Sequence, residues 1–137
     1  MLLTKLQQRL RQDERGFTLI ELLIVLVIIG ILLAIAVPSY LGFRDRAEKK
    51  AAASNVRSAV PAAEAYYADN GNYTGMTEAV LKASVDAAIN TNLIDISVSG
   101  TPPTQTYCIL GRAKSGGPVL AYFKGPGGET TEGSACP

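Results

Sequence analysis

The sequence predicts an α+β fold in which one long amino-terminal helix packs on a small antiparallel sheet. Three observations support this prediction. A long apolar run occupies residues 17–43, an alanine- and charge-rich stretch with helical periodicity follows it, and short β-prone segments occupy the second half of the chain. A sheet of a few short strands needs a cover on one face. We therefore expect the apolar half of the helix to protrude and the amphipathic half to cover the sheet.

The apolar run is long enough to cross a membrane. No charged residue occurs from Leu22 to Phe43, and a helix of that length measures roughly 33 Å against a hydrocarbon core of ~30 Å. The run is apolar on every side, so it belongs in lipid or in a protein core. Gly30 is tolerated where backbones pack closely, and Pro38, which lacks a backbone donor, is expected to kink or loosen the helix.

The charge distribution predicts how the chain is oriented. The formal net charge is +1, which implies no strong attraction to nucleic acid. Basic residues nevertheless outnumber acidic ones in residues 1–16, ahead of the apolar run. By the positive-inside bias, the amino terminus stays in the cytoplasm and residues 44–137 form an exported domain.

The helix is expected to continue from Phe17 to about Asp69, where Asn70 and Gly71 provide a stop signal. An inward-facing stripe at helical spacing consists of Val56, Val60, Ala63 and Tyr67. A neighbouring solvated face carries Lys50, Arg57 and Glu64. Pro61 suggests a second bend.

The second half of the chain predicts one short helix and three strands. Thr77 is a suitable N-cap for a short helix with Val80, Leu81 and Val85 facing inward. The expected strands are Leu93–Val98, Thr106–Leu110 and Val119–Phe123. The glycine-rich tail from Gly125 to Pro137 is expected to be irregular.

Two cysteines, Cys108 and Cys136, are the whole cysteine content. In an exported domain an even number favours a disulfide, here between the tail and a strand, and two free buried thiols are the alternative. Histidine is absent, which removes the usual general base and the commonest transition-metal ligand. Together with the lack of a nucleophile–base pair or phosphate-binding motif, this argues against a membrane-anchored enzyme, and no cofactor or metal is expected.

Glu21 is the one acid inside the apolar run. A carboxylate at the centre of a membrane helix costs about 2.5–3.5 kcal/mol, and less near the interface. A cation would relieve this cost. Arg15 is one candidate, and the new amine on Phe17 is another if the chain is cut after Gly16. The alternative is an acid that reaches the cytoplasmic interface without a partner.

The residues Arg15-Gly16-Phe17-Thr18-Leu19-Ile20-Glu21, followed by a long apolar helix, resemble the processing site of type IV prepilins and of the related pseudopilins of type II secretion. The resemblance extends to Pro38 and to the helix-ending segment 66–73. It covers the first half of the chain, and the second half only by architecture.

This resemblance implies a structural subunit of a type IV pilus, with a type II secretion pseudopilin as the alternative. A prepilin peptidase would cut between Gly16 and Phe17 in the cytoplasmic membrane, and Phe17 would be N-methylated. Glu21 would neutralise the Phe17 amine of a neighbouring subunit. An assembly ATPase and an inner-membrane platform protein would then move subunits from lipid into a helical homopolymer outside the cell. A disulfide of Cys108 and Cys136 would resemble the carboxy-terminal loop of many pilins, which favours the pilin.

Other patterns admit competing interpretations. Ala34-Ile35-Ala36 fits a secretory cleavage site that would release a soluble protein from Val37. Three weaker candidate sites are a glycosylation sequon at Asn72-Tyr73-Thr74, a calcium site at Glu129 and Glu132, and a DNA-binding surface at Lys49, Lys50 and Arg57. Ordinary solvated loops and helix faces are the favoured explanation of these three, and packing is the simpler account of Tyr66, Tyr67 and Tyr73.

Overall fold

The computed structural model describes residues 16–137. Two helices and four strands follow one another in the order α1 (Leu19–Asn70), α2 (Glu78–Ser84), β1 (Ile94–Ser99), β2 (Thr106–Arg112), β3 (Val119–Gly125) and β4 (Thr130–Glu132). The chain divides into two compact units, with the boundary between Leu41 and Gly42. The helix α1 contributes to both units, and each unit is built differently.

The described part of the first unit consists mostly of the apolar part of α1. From Leu19 to Leu41 the large apolar side chains are all exposed, from 46% for Ile29 to 81% for Leu19. A helix that is apolar on all sides and unburied is not stable in water. Within residues 16–137, α1 is the one helix that is long and apolar enough to cross a membrane.

The second unit is built around the amphipathic part of α1 and a four-stranded antiparallel sheet in the order β1-β2-β3-β4. The fold class is therefore confirmed. The buried face of α1 is mostly alanine and comprises Ala52, Ala53, Val56, Ala59, Ala62 and Ala63. These small side chains allow α1 and β2 to approach closely: a Cβ atom on Gly111 of β2 would lie 2.7 Å from the carbonyl oxygen of Ala52.

The predicted inward stripe of α1 is partly correct. Val56 and Ala63 are fully buried and Val60 packs against the core. Tyr67 is 42% exposed and lies at the edge of the buried face. The buried face of α1 consists mostly of alanine because the sheet approaches the helix too closely for larger side chains.

Both predicted helix boundaries in the second unit are confirmed. Gly71 adopts a left-handed φ of +72°, and its N–H donates to the carbonyl of Tyr67 at 2.7 Å, which ends α1. The hydroxyl of Thr77 accepts a hydrogen bond from the N–H of Val80 and caps α2. Leu81 is fully buried as predicted, but Val80 is 36% exposed, so its assignment as an inward residue was wrong.

The sheet contains one strand more than the sequence predicted. The three expected strands are present, and β2 and β3 extend to Arg112 and Gly125. The tail was predicted to be irregular, but it contains β4, which pairs antiparallel with β3 through Phe123 opposite Thr130. This hydrogen bonding to β3, rather than any local strand pattern, defines β4.

Candidate functional site: the amino-terminal segment

The residues that precede α1 are open to solvent. Gly16 and Phe17 lie outside the helix, and Phe17 is 83% exposed. A Cβ atom on Gly16 would meet no other atom within 4 Å. Packing within residues 16–137 therefore places no steric demand for glycine at this position.

Thr18 and Glu21 form a reciprocal cap at the start of α1. The backbone N–H and the hydroxyl of Thr18 donate to Oε2 of Glu21 at 2.8 and 2.6 Å, and the N–H of Glu21 donates to Oγ1 of Thr18 at 3.3 Å. This is a capping box, which satisfies helix N–H groups that have no partner within the helix. Sequence reasoning missed the role of Thr18, although the signal, threonine followed three residues later by glutamate, is present in the chain.

The cap orients the Glu21 carboxylate but uses only one of its two oxygens. Oε2 accepts both bonds from Thr18, whereas Oε1 accepts none from residues 16–137. No lysine or arginine in that range lies within 4.0 Å of the carboxylate. Arg15, one of the two predicted partners, lies outside the described residues. Among residues 16–137, therefore, nothing occupies Oε1 of Glu21.

The helix continues through Gly30 and Pro38. A Cβ atom on Gly30 would meet nothing within 4 Å, so packing among the described residues does not require the glycine. The kink expected at Pro38 stays a prediction.

The two cysteines are joined in the structure. Cys108 of β2 and Cys136 of the tail form a disulfide whose Cα atoms are 6.2 Å apart. The tail is held at a second point, because the Nζ of Lys124 donates to the carbonyl oxygen of Pro137 at 2.7 Å. Together these bonds attach the last residues of the chain to the outer face of β2 and β3.

Glu64 has a role that its position on a solvated helix face did not predict. Its carboxylate accepts hydrogen bonds from the hydroxyls of Tyr107 and Tyr73, two aromatic residues that are almost completely buried. Burial, together with the hydrogen bond to the adjacent carboxylate of Glu64, raises the pKa of Tyr73 to about 12. The pKa of Tyr107 is raised for the same two reasons. The helix and the sheet are thereby joined through one carboxylate.

The weaker candidate sites have ordinary partners. The Oε2 of Glu132 lies 3.4 Å from the Nζ of Lys49, and Lys50 lies 3.9 Å from the same carboxylate. No cluster of three metal-ligating side chains occurs between residues 16 and 137. Asn72 uses its side-chain amide to donate to the carbonyl of Asn70 at 3.1 Å, and its oxygen accepts from the N–H of Thr74 at 2.9 Å. These contacts describe a turn.

The amino-terminal segment matches a known family profile. Residues 11–37 match the prokaryotic N-terminal methylation motif. This range contains Gly16, Phe17, Thr18 and Glu21, and most of the apolar run that follows them.

The chain is also similar to proteins of two related filament systems. It is 35% identical over 114 residues to the type IV wide pilus major component PilA4 of Thermus thermophilus, covering 83% of this chain and 77% of that protein. It is 37% identical over 79 residues to the type II secretion system core protein G of Klebsiella michiganensis and 40% identical over 72 residues to that of Pectobacterium carotovorum.

The two core protein G matches cover 55% and 53% of this chain, and the chain spans only about half of each relative, 56% and 46%. No solved structure gives a significant match. The extent of the match to the Thermus thermophilus pilus component, together with the methylation motif and the helix-on-sheet fold, shows that the chain belongs to the family of type IV pilins and type II secretion pseudopilins.

Proposed function

We propose that the chain is a non-enzymatic structural subunit of a type IV pilus. The observation that carries this proposal is the similarity to a major pilus component over 83% of the chain, which includes much of the second unit as well as the amino-terminal motif. The disulfide that attaches the tail to β2 adds support. Before assembly the protein is a membrane-anchored subunit, with its amino terminus in the cytoplasm and residues 44–137 exported.

Processing takes place between Gly16 and Phe17. Both residues precede α1 and are exposed, so a membrane-embedded prepilin peptidase has access to the peptide bond. Within the part of the chain that the structure describes, packing does not require Gly16, which agrees with a requirement imposed by the peptidase. The same enzyme then methylates the new amine of Phe17.

Assembly joins the Phe17 ammonium of one subunit to Glu21 of its neighbour. Thr18 holds one oxygen of the Glu21 carboxylate and leaves the other free for this contact. A charge removed from water is tolerated only when it is paired, so the contact favours one axial register over others. A contact that repeats without closing into a ring produces an open helical filament. An assembly ATPase and a platform protein in the inner membrane supply the work of extraction.

A pseudopilin of a type II secretion system is the second candidate. The identities of 37% and 40% to core protein G from two organisms favour it. The two candidates share processing, membrane anchoring and helix-mediated assembly. They differ in whether the filament extends outside the cell or stays within the cell envelope.

Mass spectrometry of filaments sheared from cells tests the proposal. We expect an abundant subunit that begins at N-methylated Phe17 and contains the Cys108–Cys136 disulfide. In a matched variant, Gly16→Leu, we expect uncut precursor in the membrane and no filament. A subunit that begins at Val37 would establish secretory cleavage instead. A processed subunit confined to the cell envelope, whose deletion blocks protein secretion, would establish the pseudopilin.

A further inference from the structure

A cavity of about 220 Å³ lies in the second unit, between the end of α1 and the sheet. Its walls come from four segments of the chain: the last turns of α1, the turn that follows it, the loop between β1 and β2, and the residue after β3. Glu64, Tyr67 and Tyr73 form one side, and three prolines from the two loops form the other. The filament function described above assigns no role to this cavity.

The cavity contains one negatively charged side chain, Glu64, which has unused hydrogen-bond acceptor positions. A carboxylate has about four acceptor positions, and Glu64 uses two of them for the hydroxyls of Tyr73 and Tyr107. Within residues 16–137 no lysine or arginine lies within 4.0 Å of Glu64, and none lines the cavity. Both tyrosines keep their protons at neutral pH, since their pKa values are raised. The cavity is therefore anionic.

Two aromatic rings stand beside this carboxylate. The ring centroids of Tyr67 and Tyr73 are 4.8 Å apart, with an angle of 36° between their planes. Tyr67 is 42% exposed, so part of its surface is accessible from solvent. Aromatic faces attract cations, and the attraction is greatest where the cation is also removed from water. A carboxylate next to aromatic faces selects for positive charge combined with apolar groups.

The walls are fixed before any ligand arrives. The N–H of Tyr73 donates to Oε1 of Gln105 at 2.9 Å, and Nε2 of Gln105 donates to Oγ1 of Thr74 at 2.9 Å. Gln105 is itself 9% exposed. The N–H of Thr74 donates in turn to Asn72. A preformed site loses little conformational entropy on binding, which raises the affinity available to a small ligand.

From the carboxylate, the paired rings and the proline wall, we propose that this cavity binds a small organic cation, a primary ammonium group on a short alkyl chain. The ammonium group donates to the free acceptor positions of Glu64 and lies against the ring of Tyr67. The alkyl chain contacts the prolines of the two loops. The volume accommodates several non-hydrogen atoms.

Titration with n-butylammonium chloride at constant ionic strength tests this proposal, with 1-butanol as the neutral probe of equal chain length. The full chain in non-ionic detergent is labelled with ¹⁵N, and the side-chain amide signals of Asn72 and Gln105 report binding. We expect saturable shifts with n-butylammonium and none with 1-butanol. Saturable shifts of equal size with both probes, or none with either, would overturn the proposal.

Three variants locate the site. Glu64→Gln keeps an acceptor for the tyrosines and is expected to weaken n-butylammonium binding about fivefold or more. Tyr67→Leu removes a partly exposed aromatic ring and is expected to weaken n-butylammonium binding about two- to fivefold. Glu129→Gln, which removes an exposed acid outside the cavity, is expected to leave the affinity unchanged. Unchanged binding in Tyr67→Leu, whose fold is checked by circular dichroism, overturns the proposal even if Glu64→Gln does not fold.

Discussion

At the scale of single residues, Glu64 shows how a surface acid can organise a buried network. The residue is exposed, yet both of its carboxylate oxygens accept hydrogen bonds from the hydroxyls of buried tyrosines outside α1. Helical spacing correctly assigned Glu64 to a face with Lys50 and Arg57, all three of which are exposed. The spacing contained no information about Tyr107, which is 43 residues away in sequence. Such long-range partners depend on the tertiary fold.

The raised pKa of Tyr73 predicts a loss of stability at alkaline pH. An unfolded tyrosine loses its proton near pH 10, whereas Tyr73 in the folded chain keeps its proton up to about pH 12. Above pH 10 the unfolded state therefore binds fewer protons than the folded state, and stability falls as the pH rises from about 10 to 12. The contribution is complete below pH 10.

Urea unfolding of the full chain in detergent at pH 8, 9, 10 and 11 measures this dependence. We expect the midpoint to be level up to about pH 9.5 and to fall thereafter. In Tyr73→Phe the decline should be shallower, because one of the two tyrosines with a raised pKa is gone. An equally steep decline in Tyr73→Phe would contradict the assignment.

Gly111 is required by the close approach of α1 to β2. A Cβ atom at this position would lie 2.4 Å from Cγ2 of Val56 and 2.7 Å from the Ala52 carbonyl oxygen. We expect Gly111→Ala to destabilise the second unit by about 1–3 kcal/mol, as overpacking of a close contact does. The urea midpoint measures the change.

Gly42→Ala is the matched control for that substitution. A Cβ atom on Gly42 would meet nothing within 4 Å, and the residue lies within α1. We expect this variant to be as stable as the natural chain or slightly more stable, because alanine favours a helix over glycine by about 0.5–1 kcal/mol. If both glycine variants were destabilised alike, steric contact at Gly111 would not be the cause.

At the scale of elements, hydrophobic periodicity predicted α1, α2 and three strands because each has a local signal. The helix α1 has apolar and alanine-rich periodicity and a glycine stop, and α2 has a threonine cap. The strand β4 has no such signal. It consists of Thr130, Thr131 and Glu132 within a glycine-rich tail, and it is defined by the partner that it meets on β3. Three polar residues carry too little pattern to identify a strand.

The amino-terminal site, like the fold, was predicted only in part from the sequence. The spacing of Gly16, Phe17 and Glu21 ahead of an apolar helix identified the segment from the sequence, and the methylation motif covers it. The hydrogen bonds between Thr18 and Glu21 were not anticipated. The cavity beside Glu64 also had no sequence signal, because its walls come from four separate segments that only the fold brings together.

The disulfide has a measurable effect on the second unit. Cys108 and Cys136 are separated by 28 residues, and closing a loop of that size stabilises a fold by about 3–4 kcal/mol through the entropy of the unfolded chain. We expect the double variant Cys108→Ser/Cys136→Ser to unfold at correspondingly lower urea concentration. Reductant should shift the natural chain to the same midpoint and leave the variant unchanged. A natural chain that is insensitive to reductant would refute this expectation.

At the scale of the whole molecule, the two units call for different surroundings. The first unit exposes its large apolar side chains on all sides, whereas the second has a buried core of its own and a disulfide. Under the proposed function, a bilayer covers the apolar side chains of the first unit before assembly, and the apolar helices of other subunits cover them afterwards. Since apolar surface is covered in both places, hydrophobic burial alone does not determine the position of one subunit relative to the next. A paired charge can supply that specificity, because a wrong position leaves the charge without its partner.

Glu21 is the acid available within the apolar segment to make such a contact, and this predicts the behaviour of its variants. Glu21→Ala and Glu21→Val remove a costly charge, so we expect membrane insertion to be as efficient as in the natural chain, or more so. Under the proposed pairing the Phe17 ammonium of each neighbour then lacks its partner, so filament yield should fall sharply. Thr18→Val separates this role from capping: it removes the hydroxyl bonds to Glu21 but keeps the acid. It should therefore retain more filament than either Glu21 variant. Immunoblots of membrane and sheared fractions measure both quantities, and a normal filament yield from Glu21→Ala would show that another contact sets the register.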